Sequence, residues 1–114
     1  MHVHYLEIVT TDVDAVCSAY SAINGIVFGK PEERLGAARV ASMPGGQLVG
    51  VRAPMSESER PVVRPYWLVD DIEAAVKAAL ESGGELAHPP LEIPGRGTFA
   101  IYILGGVHHG VWQL

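Results

Sequence analysis

The chain contains 114 residues with a net charge of -5 at pH 7, and 48% of its residues are hydrophobic while 18% are charged. This composition is typical of one globular domain that buries an apolar core, and it excludes a disordered chain. The acidic balance provides no basic surface for nucleic acid, and no apolar run approaches the roughly 18 residues that a membrane-spanning helix needs.

The first half of the chain predicts a strand, a helix and three short strands. Alternating β-formers predict the first strand over residues 2–10. Apolar residues at helical spacing follow, with Thr11 or Asp12 as the N-terminal cap and Asn24-Gly25 as a left-handed C-terminal stop. The short strands are predicted over residues 26–29, 37–43 and 47–53, the last two joined by a hairpin turn at Gly45-Gly46.

The second half predicts the same order of elements. A strand over residues 65–69 precedes a helix whose apolar stripe runs from Ile72 to Leu80 and which ends at Gly83-Gly84. The polar segment that precedes this half, with its Ser, Glu, Arg and Pro residues, is typical of a solvated linker. Further strands are predicted over residues 85–86, 98–104 and 107–113, with Gly105-Gly106 as the second hairpin turn.

Two echoes indicate that the halves are copies of one unit. A Gly-Gly…Gly-Val pattern at residues 45–51 returns sixty residues later at 105–111, and the helix start Asp12-Val13-Asp14 returns as Asp71-Ile72-Glu73. A duplicated unit places a site between its halves, where equivalent residues converge. We therefore predict one α+β domain of two tandem βαβββ modules, at residues 1–53 and 64–114, joined by a linker at 54–63.

Two segments add to this repeated plan: Pro89-Pro90-Leu91-Glu92-Ile93-Pro94-Gly95-Arg96-Gly97 and the ending Gly110-Val111-Trp112-Gln113. Together these features resemble the vicinal oxygen chelate superfamily, which includes glyoxalase I, extradiol dioxygenases and bleomycin-resistance proteins, over nearly the whole chain. The resemblance implies a glyoxalase-like fold in which the modules form a curved mixed sheet around a cavity, and it implies a homodimer. It implies no single chemistry, because the superfamily hosts unrelated activities on one scaffold.

The resemblance also locates the positions at which metal-dependent members hold a divalent ion through His and Glu. Seven residues before the acidic start of each helix stand Tyr5 and Arg64, and the ligands on the last strand of each half fall on Gly50 and Gly110. Glycine has no ligand atom, and arginine has no lone pair to offer. We therefore expect neither a metal nor another cofactor.

A shift of one residue would make His4 the first ligand in place of Tyr5. Such a shift turns the side chain to the other face of the sheet, which His4 shares with Leu6 and Ile8. Because those apolar residues are expected to pack under the helices, His4 is predicted to be a packed or edge histidine.

Strand alternation, carried from the four ligand positions, predicts which residues face the cavity. They are Tyr5, Glu7, Leu48, Arg52, Arg64, Tyr66, His108 and Trp112. The opposite faces carry the apolar set that helices need: Leu6, Ile8, Val49, Val51, Trp67, Val69 and Val111. Gly50 and Gly110 are expected to leave floor space. This cavity suits a small molecule, because guanidinium groups bind carboxylate or phosphate and aromatic rings stack on a flat ligand.

The predicted function is metal-independent binding of a small anionic or aromatic organic molecule, as in the bleomycin-resistance branch. The ligand-binding residues are then Tyr5, Glu7, Arg52, Arg64, Tyr66, His108 and Trp112. In a rival account Arg64 neutralises Glu7 and the aromatic residues belong to the core.

Two other classes of function stay open. The chain is alternatively an enzyme of the superfamily, a lyase, isomerase or dioxygenase, that uses a divalent metal or a general base. The candidate bases are Glu7 and His108, with Arg64 stabilising an oxyanion. A domain that binds a partner protein through its strand edges is the further alternative.

Two weaker features complete the expectations. Cys17 lies on the apolar face of the first helix, which favours a buried and inert thiol. As the only cysteine it excludes an internal disulfide, and the chain starts without signal-peptide features, so a cytoplasmic location is expected. Gly95-Arg96-Gly97 is expected to form a flexible lip over the pocket.

Overall fold

A computed structural model describes residues 2–114, which divide into two compact units. The N-terminal unit is Tyr5–Val63, and the C-terminal unit contains the residues up to His4 together with Arg64–Leu114. Compared with the predicted modules, the first residues of the chain belong to the C-terminal unit, and the segment 54–63 belongs to the N-terminal unit.

The N-terminal unit contains a helix and three strands. Its strands are β1 (Val3–Val9, of which Tyr5–Val9 lie in this unit), β2 (Arg39–Ser42) and β3 (Leu48–Arg52), its helix is α1 (Val13–Asn24), and a 3-10 turn covers Glu33–Leu35. β3 pairs with β1 in parallel and with β2 in antiparallel orientation. The hairpin turn predicted at Gly45-Gly46 therefore connects the two strands that the sequence indicated, β2 and β3.

Helix α1 ends where the sequence predicted. Gly25 adopts the left-handed conformation with φ 66°, and its N–H donates to the Ser21 carbonyl at 2.9 Å. Glycine is favoured in this conformation because it has no Cβ to clash with the backbone. The helix packs Cys17, Val13 and Val16 against the apolar face of the strands.

The strand predicted over residues 26–29 is wrong. Ile26 and Phe28 are buried while Val27 is exposed, which is the alternation that suggested a strand. The segment is irregular, although the Gly29 N–H donates to the Val40 carbonyl at 2.9 Å. Alternation records which side chains are buried, and it does not require a continuous ladder with a neighbouring strand.

The C-terminal unit contains a helix and four strands, with the start of β1 beside them. The strands are β4 (Val62–Leu68, which begins at the end of the N-terminal unit), β5 (Glu85–Ile93), β6 (Gly97–Leu104) and β7 (Val107–Gln113), and the helix is α2 (Ile72–Glu81). β4 runs parallel to β7, and β6 pairs antiparallel with both β7 and β5. The Leu68 N–H donates to the His2 carbonyl at 2.9 Å. Helices packed on mixed strands confirm the predicted α+β class.

Strand β5 is much longer than the short strand predicted at residues 85–86. It continues through Pro89-Pro90 to Ile93, with irregular register on both sides of His88. Proline lacks an N–H to donate to a ladder, so the pair was not expected inside a strand. In this unit β5 pairs with β6 alone, and a strand with one neighbour tolerates a missing donor.

The last residues of β7 fix the start of α2. Val111 packs with Ile72 and Val76 in the apolar cluster under the helix. The Gln113 side-chain oxygen accepts from the Ile72 N–H at 2.8 Å and so satisfies a backbone donor at the first turn. In residues 2–114, no helix is long and apolar enough to cross a membrane.

The two helix starts differ in how they are capped, although both begin at an aspartate. The Asp71 side chain accepts from the Ala74 N–H at 3.1 Å, whereas the Asp12 side chain makes no capping hydrogen bond. Asp71→Ala should therefore lower the free energy of unfolding by about 1 kcal/mol. Asp12→Ala removes the same charge from a helix start, so it is the matched control and should cost clearly less. Equal losses in urea denaturation would contradict the assignment of this cap.

Candidate functional site

The strand register divides the faces of the N-terminal unit as the alternation predicted. Tyr5 lies beside Leu48 and Glu7 beside Gly50, and Val9 lies beside Arg52. The opposite face packs under α1 with the side chains of Leu6, Ile8, Val49 and Val51. Tyr5, Glu7, Leu48 and Arg52 are therefore brought together on the face away from α1.

The C-terminal unit shows the same division with one exception. Tyr66 pairs with Gly110 and Leu68 with Trp112, while Val69 and Val111 pack with α2. Trp67 was predicted to lie under the helix, but 37% of its surface is exposed. Alternation along β4 predicts the face on which the Trp67 side chain lies. It does not predict whether α2 covers that side chain.

The two glycines at the predicted ligand positions lie directly under tyrosine rings. A Cβ added to Gly50 would overlap the Tyr5 ring and hydroxyl, and one added to Gly110 would overlap the Tyr66 ring. Tyr5 is 2% exposed and Tyr66 4%. The expectation that these glycines leave open floor space is therefore wrong, because each strand pair fills that space with an aromatic ring.

Arg52 links two carboxylates in the N-terminal unit. Its Nε donates to Glu7 Oε2 at 2.8 Å, and its Nη1 and Nη2 donate to Glu59 Oε1 and Oε2 at 2.8 and 2.7 Å. The Arg52 side chain is 5% exposed and that of Glu7 9%. The hydrogen bonds that Arg52 donates to Glu59 raise the pKa of Arg52 above its ordinary value. Burial opposes this shift, and the hydrogen bond to Glu7 and the charges of both carboxylates add to it.

This network gives Glu7 and Arg52 an internal role within their unit. The predicted pocket residues are bound to each other, and Glu59 also accepts from the Met55 N–H at 2.7 Å. Breaking a buried ion pair by removing one partner costs about 3–5 kcal/mol. The sequence offered Glu57 and Glu59 with equal weight in the predicted linker, so it contained no signal that Glu59 belongs to this network.

An open depression of 710 Å³ lies beside the same segment. It is lined by Thr11, Pro54, Ser56, Glu57, Ser58, Glu59, Arg60 and Pro61. None of these was a predicted site residue, and the lining contains no aromatic ring to stack on a flat ligand. Its lining includes Glu59, the residue that accepts from Arg52.

Five rings form a continuous cluster in the C-terminal unit, which we call the aromatic wall. Its members are His4, Tyr66, His88, Phe99 and Trp112. Phe99 stacks on Trp112 at 6.0 Å and 28° and on His88 at 4.8 Å and 28°. Tyr66 stands edge-on to both Phe99 and Trp112, at 78° and 86°. His4, His88 and Phe99 are half-buried, so the wall keeps an accessible surface.

Trp112 fixes the turn between β5 and β6. Its Nε1–H donates to the Arg96 carbonyl at 2.8 Å, and the Arg96 N–H donates to the Ile93 carbonyl at 2.8 Å. Gly97 adopts φ +120°, and a Cβ there would strike the Gln113 carbonyl and lie 2.7 Å from the Trp112 Nε1. The predicted flexible lip is therefore a turn held against the wall.

His4 belongs to the wall as a ring tilted by 47° against Trp112. Its centroid lies 5.7 Å from that of Trp112. Burial first, and then the positive charges of His2 and Arg96, hold the pKa of His4 below its ordinary value. His4 is therefore a neutral imidazole at pH 7, which agrees with the predicted packed histidine. His88, Phe99 and Arg96 were missed as site residues. Their positions depend on the pairing of β6 with both β7 and β5 and on the turn before β6, and no local sequence pattern shows these.

The other predicted site residues are placed less deeply. Arg64 is half-buried on β4, two residues before Tyr66 and on the same side of the strand, and His108 is exposed near the start of β7. Cys17 is buried as expected, and burial raises the pKa of its thiol. That thiol stays protonated and inert at pH 7.

A metal ion does not fit the four positions at which the resemblance places its ligands. Gly50 and Gly110 have no ligand atom, and tyrosine rings occupy the space above them. Within residues 2–114, no group of three or more His, Cys, Asp and Glu side chains is arranged to hold a metal ion. We derive no chemical step through a metal at these positions.

No family model matches the chain, and no curated protein matches its sequence. Solved structures show its fold. Methylmalonyl-CoA epimerase from Mycobacterium tuberculosis is similar at 17% identity and a TM-score of 0.77, covering 97% of this chain and 86% of that one. A hypothetical protein from Bacillus halodurans has 15% identity and a TM-score of 0.76, with 99% and 94% coverage.

A third similar structure contains a ligand. It is the Streptomyces coelicolor methylmalonyl-CoA epimerase in complex with 2-nitronate-propionyl-CoA, with 13% identity, a TM-score of 0.71 and coverage of 99% and 96%. These likenesses confirm the glyoxalase-like fold that the resemblance implied. At such low identity they establish the fold and no activity.

The contact between Gly110 and Tyr66 should be sensitive to a single methyl group. The overlap falls on the Cγ and Cδ2 atoms near the base of the ring, so the ring cannot swing clear. Gly110→Ala should lower the free energy of unfolding by about 1–3 kcal/mol, measured by chemical denaturation. Gly29→Ala is the matched control with little expected effect, because its Cβ would meet only the Val40 carbonyl at 3.7 Å.

A double variant tests whether the ring causes this loss. In a Tyr66→Ala background the overlapping atoms are absent, so adding Gly110→Ala should cost much less than it does alone. Additive losses in the two variants would contradict the steric explanation.

Proposed function

We propose that the protein binds a small organic molecule, anionic or aromatic, and that it does so without a divalent metal at the superfamily's ligand positions. The observation that carries this proposal is the pairing of Gly50 and Gly110 with tyrosine rings. Those positions have neither ligand atoms nor space for an ion. The half-buried rings of the aromatic wall, in contrast, offer a surface on which a flat molecule can stack.

Arg64 supplies the positive charge in this proposal. It lies on the same side of β4 as Tyr66, at the position of a superfamily ligand, and it is half-buried. A guanidinium group binds a carboxylate or phosphate through two parallel hydrogen bonds. Tyr66 and Trp112, which are 4% and 1% exposed, then support the accessible rings of the wall from behind. Tyr5, Glu7 and Arg52 have a structural role in the N-terminal unit.

An enzyme is the second candidate function. The epimerases of similar fold, one of them in complex with 2-nitronate-propionyl-CoA, favour proton transfer next to a carbonyl as the reaction to test. Glu7 is less suited to be its base than the sequence implied, because Arg52 already occupies one of its oxygens. His108 is exposed and stays the other candidate. A homodimer and a cytoplasmic location remain predictions from the sequence.

We expect purified protein to contain no stoichiometric divalent metal, because Gly50 and Gly110 offer no ligand atom and tyrosine rings fill the space above them. Elemental analysis should be made on protein prepared without a polyhistidine tag. A chelator should leave the melting temperature unchanged, because no part of the fold is expected to depend on an ion. A content near one nickel, zinc, iron or manganese ion per chain would contradict metal-independent binding.

Arg64→Met tests the anchoring role. The probe is the tightest-binding compound from a thermal-shift screen of anionic and aromatic molecules. The substitution should weaken its binding by about 1–3 kcal/mol, because a charge-assisted contact is lost, and should leave the stability nearly level. Arg60→Met is the matched control, because it removes an arginine that is exposed.

The rival role of Arg64, neutralisation of Glu7, predicts a different pair of results. Arg64→Met would then destabilise the fold by leaving a buried carboxylate without that neutralisation, and Glu7→Gln would largely restore stability. Unchanged binding together with such a rescue would refute the anchoring role.

A further inference from the structure

Arg96 occupies a fixed position at the edge of the aromatic wall. Its carbonyl accepts from the Trp112 indole N–H at 2.8 Å. Its N–H donates to the carbonyl of the buried Ile93 at 2.8 Å. The next residue must be a glycine, because a Cβ at Gly97 would strike the Gln113 carbonyl and the Trp112 indole at the end of β7. The main chain thus holds the base of the Arg96 side chain beside the pyrrole edge of Trp112.

The Arg96 side chain starts beside Trp112, because the carbonyl of the same residue accepts from the indole N–H. The residue is half-buried, and its positive charge acts on the His4 imidazole, whose centroid is 5.7 Å from that of Trp112. Residues His4, Tyr66, His88, Phe99 and Trp112 carry no carboxylate, and His4 is neutral. Positive charge therefore borders a surface made of aromatic rings without negative charge, which complements an aromatic molecule with an acidic group.

We propose that Arg96 recognises the carboxylate of a planar aromatic acid whose ring lies against the aromatic wall. This assignment rests on the proposed small-molecule binding and names the chemical class of the ligand at the same site. A guanidinium matches a carboxylate in shape and charge, and the fixed turn reduces the conformational entropy lost when the contact forms.

The test uses a pair of probes that differ only in charge. 2-Naphthoate carries the carboxylate, and 2-naphthamide has the same ring system with a neutral amide. Binding is followed by the NMR signal of the Trp112 indole N–H, which is distinguished from that of Trp67 by a Trp67→Phe variant. Trp67 is 37% exposed and lies outside the wall, so this variant should fold normally.

Four results are expected. Naphthoate should shift the Trp112 signal and bind at least about tenfold more tightly than naphthamide. Arg96→Met should weaken naphthoate binding by about tenfold or more and leave naphthamide binding unchanged. Arg96→Lys should retain part of the preference for the acid, since it keeps the charge but loses the fork geometry. Added salt should weaken naphthoate binding to the native protein and not to Arg96→Met.

The fold of the variants can be checked with the same signal. The substitutions change only the side chain, while the carbonyl that accepts from Trp112 remains, so the indole resonance and the melting temperature should be preserved. Arg96→Gln is a second neutral variant in case the methionine variant fails to fold. Arg34→Met, which removes an exposed arginine from the N-terminal unit, is the control for net charge.

The unfavourable outcomes separate the two levels of inference. If naphthoate shifts Trp112 but Arg96→Met leaves its affinity unchanged, the role of Arg96 is refuted while small-molecule binding at the wall stands. An equal weakening of naphthoate and naphthamide refutes carboxylate recognition and makes Arg96 a packing residue. If neither probe shifts Trp112, and the thermal-shift screen also yields no ligand, both the Arg96 assignment and the proposed function fail.

Discussion

A glycine beneath a tyrosine ring is the contact on which the arrangement of both units depends. Gly50 accepts the ring of Tyr5 between β1 and β3, and Gly110 accepts that of Tyr66 between β4 and β7. In each pair the alternation of side chains places the tyrosine and the glycine on the same face of the strands. A larger residue at either glycine would displace a buried aromatic side chain. Because the rings fill this space, the positions that resemble metal-ligand positions serve packing, and Tyr66 becomes the edge-on partner of Phe99 and Trp112.

Buried charge is treated differently in the two units. In the N-terminal unit, Arg52 is enclosed and bonded to both Glu7 and Glu59, so its charge holds two strands and the following segment together. A buried ion pair is weak evidence for stability, but removing one partner is costly, and this favours one arrangement of the segment. In the C-terminal unit, Arg64 and Arg96 are only half-buried. Arg64 lies two residues before Tyr66 on β4, and the Arg96 carbonyl accepts from the Trp112 indole. Because of this difference in burial, we propose that Arg64 and Arg96 recognise a ligand and that Arg52 has a structural role.

The ending Gly-Val-Trp-Gln shows how a motif can carry structure where chemistry was expected. Trp112 holds the β5–β6 turn through its indole N–H, and Gln113 satisfies a donor at the start of α2. Val111 fills the core under that helix, and Gly110 admits the Tyr66 ring. Four consecutive residues thus connect the wall, a turn, a helix start and the core. Alternation of side chains along one strand makes this possible, since neighbours point to opposite faces.

The sequence by itself determined the α+β class, the C-terminal end of α1 and the faces on which the residues of β1, β3, β4 and β7 lie. These properties follow from local rules: the period of the apolar residues, the conformational freedom of glycine and the alternation along a strand. Only the tertiary structure decided that residues 26–29 form no strand, that Glu59 binds Arg52, and that His88, Phe99 and Arg96 gather around Trp112. Each depends on which distant segment lies opposite, and no local pattern encodes that choice. The filled space above Gly50 and Gly110 has the same origin, since a missing side chain shows where room exists but not which neighbour occupies it.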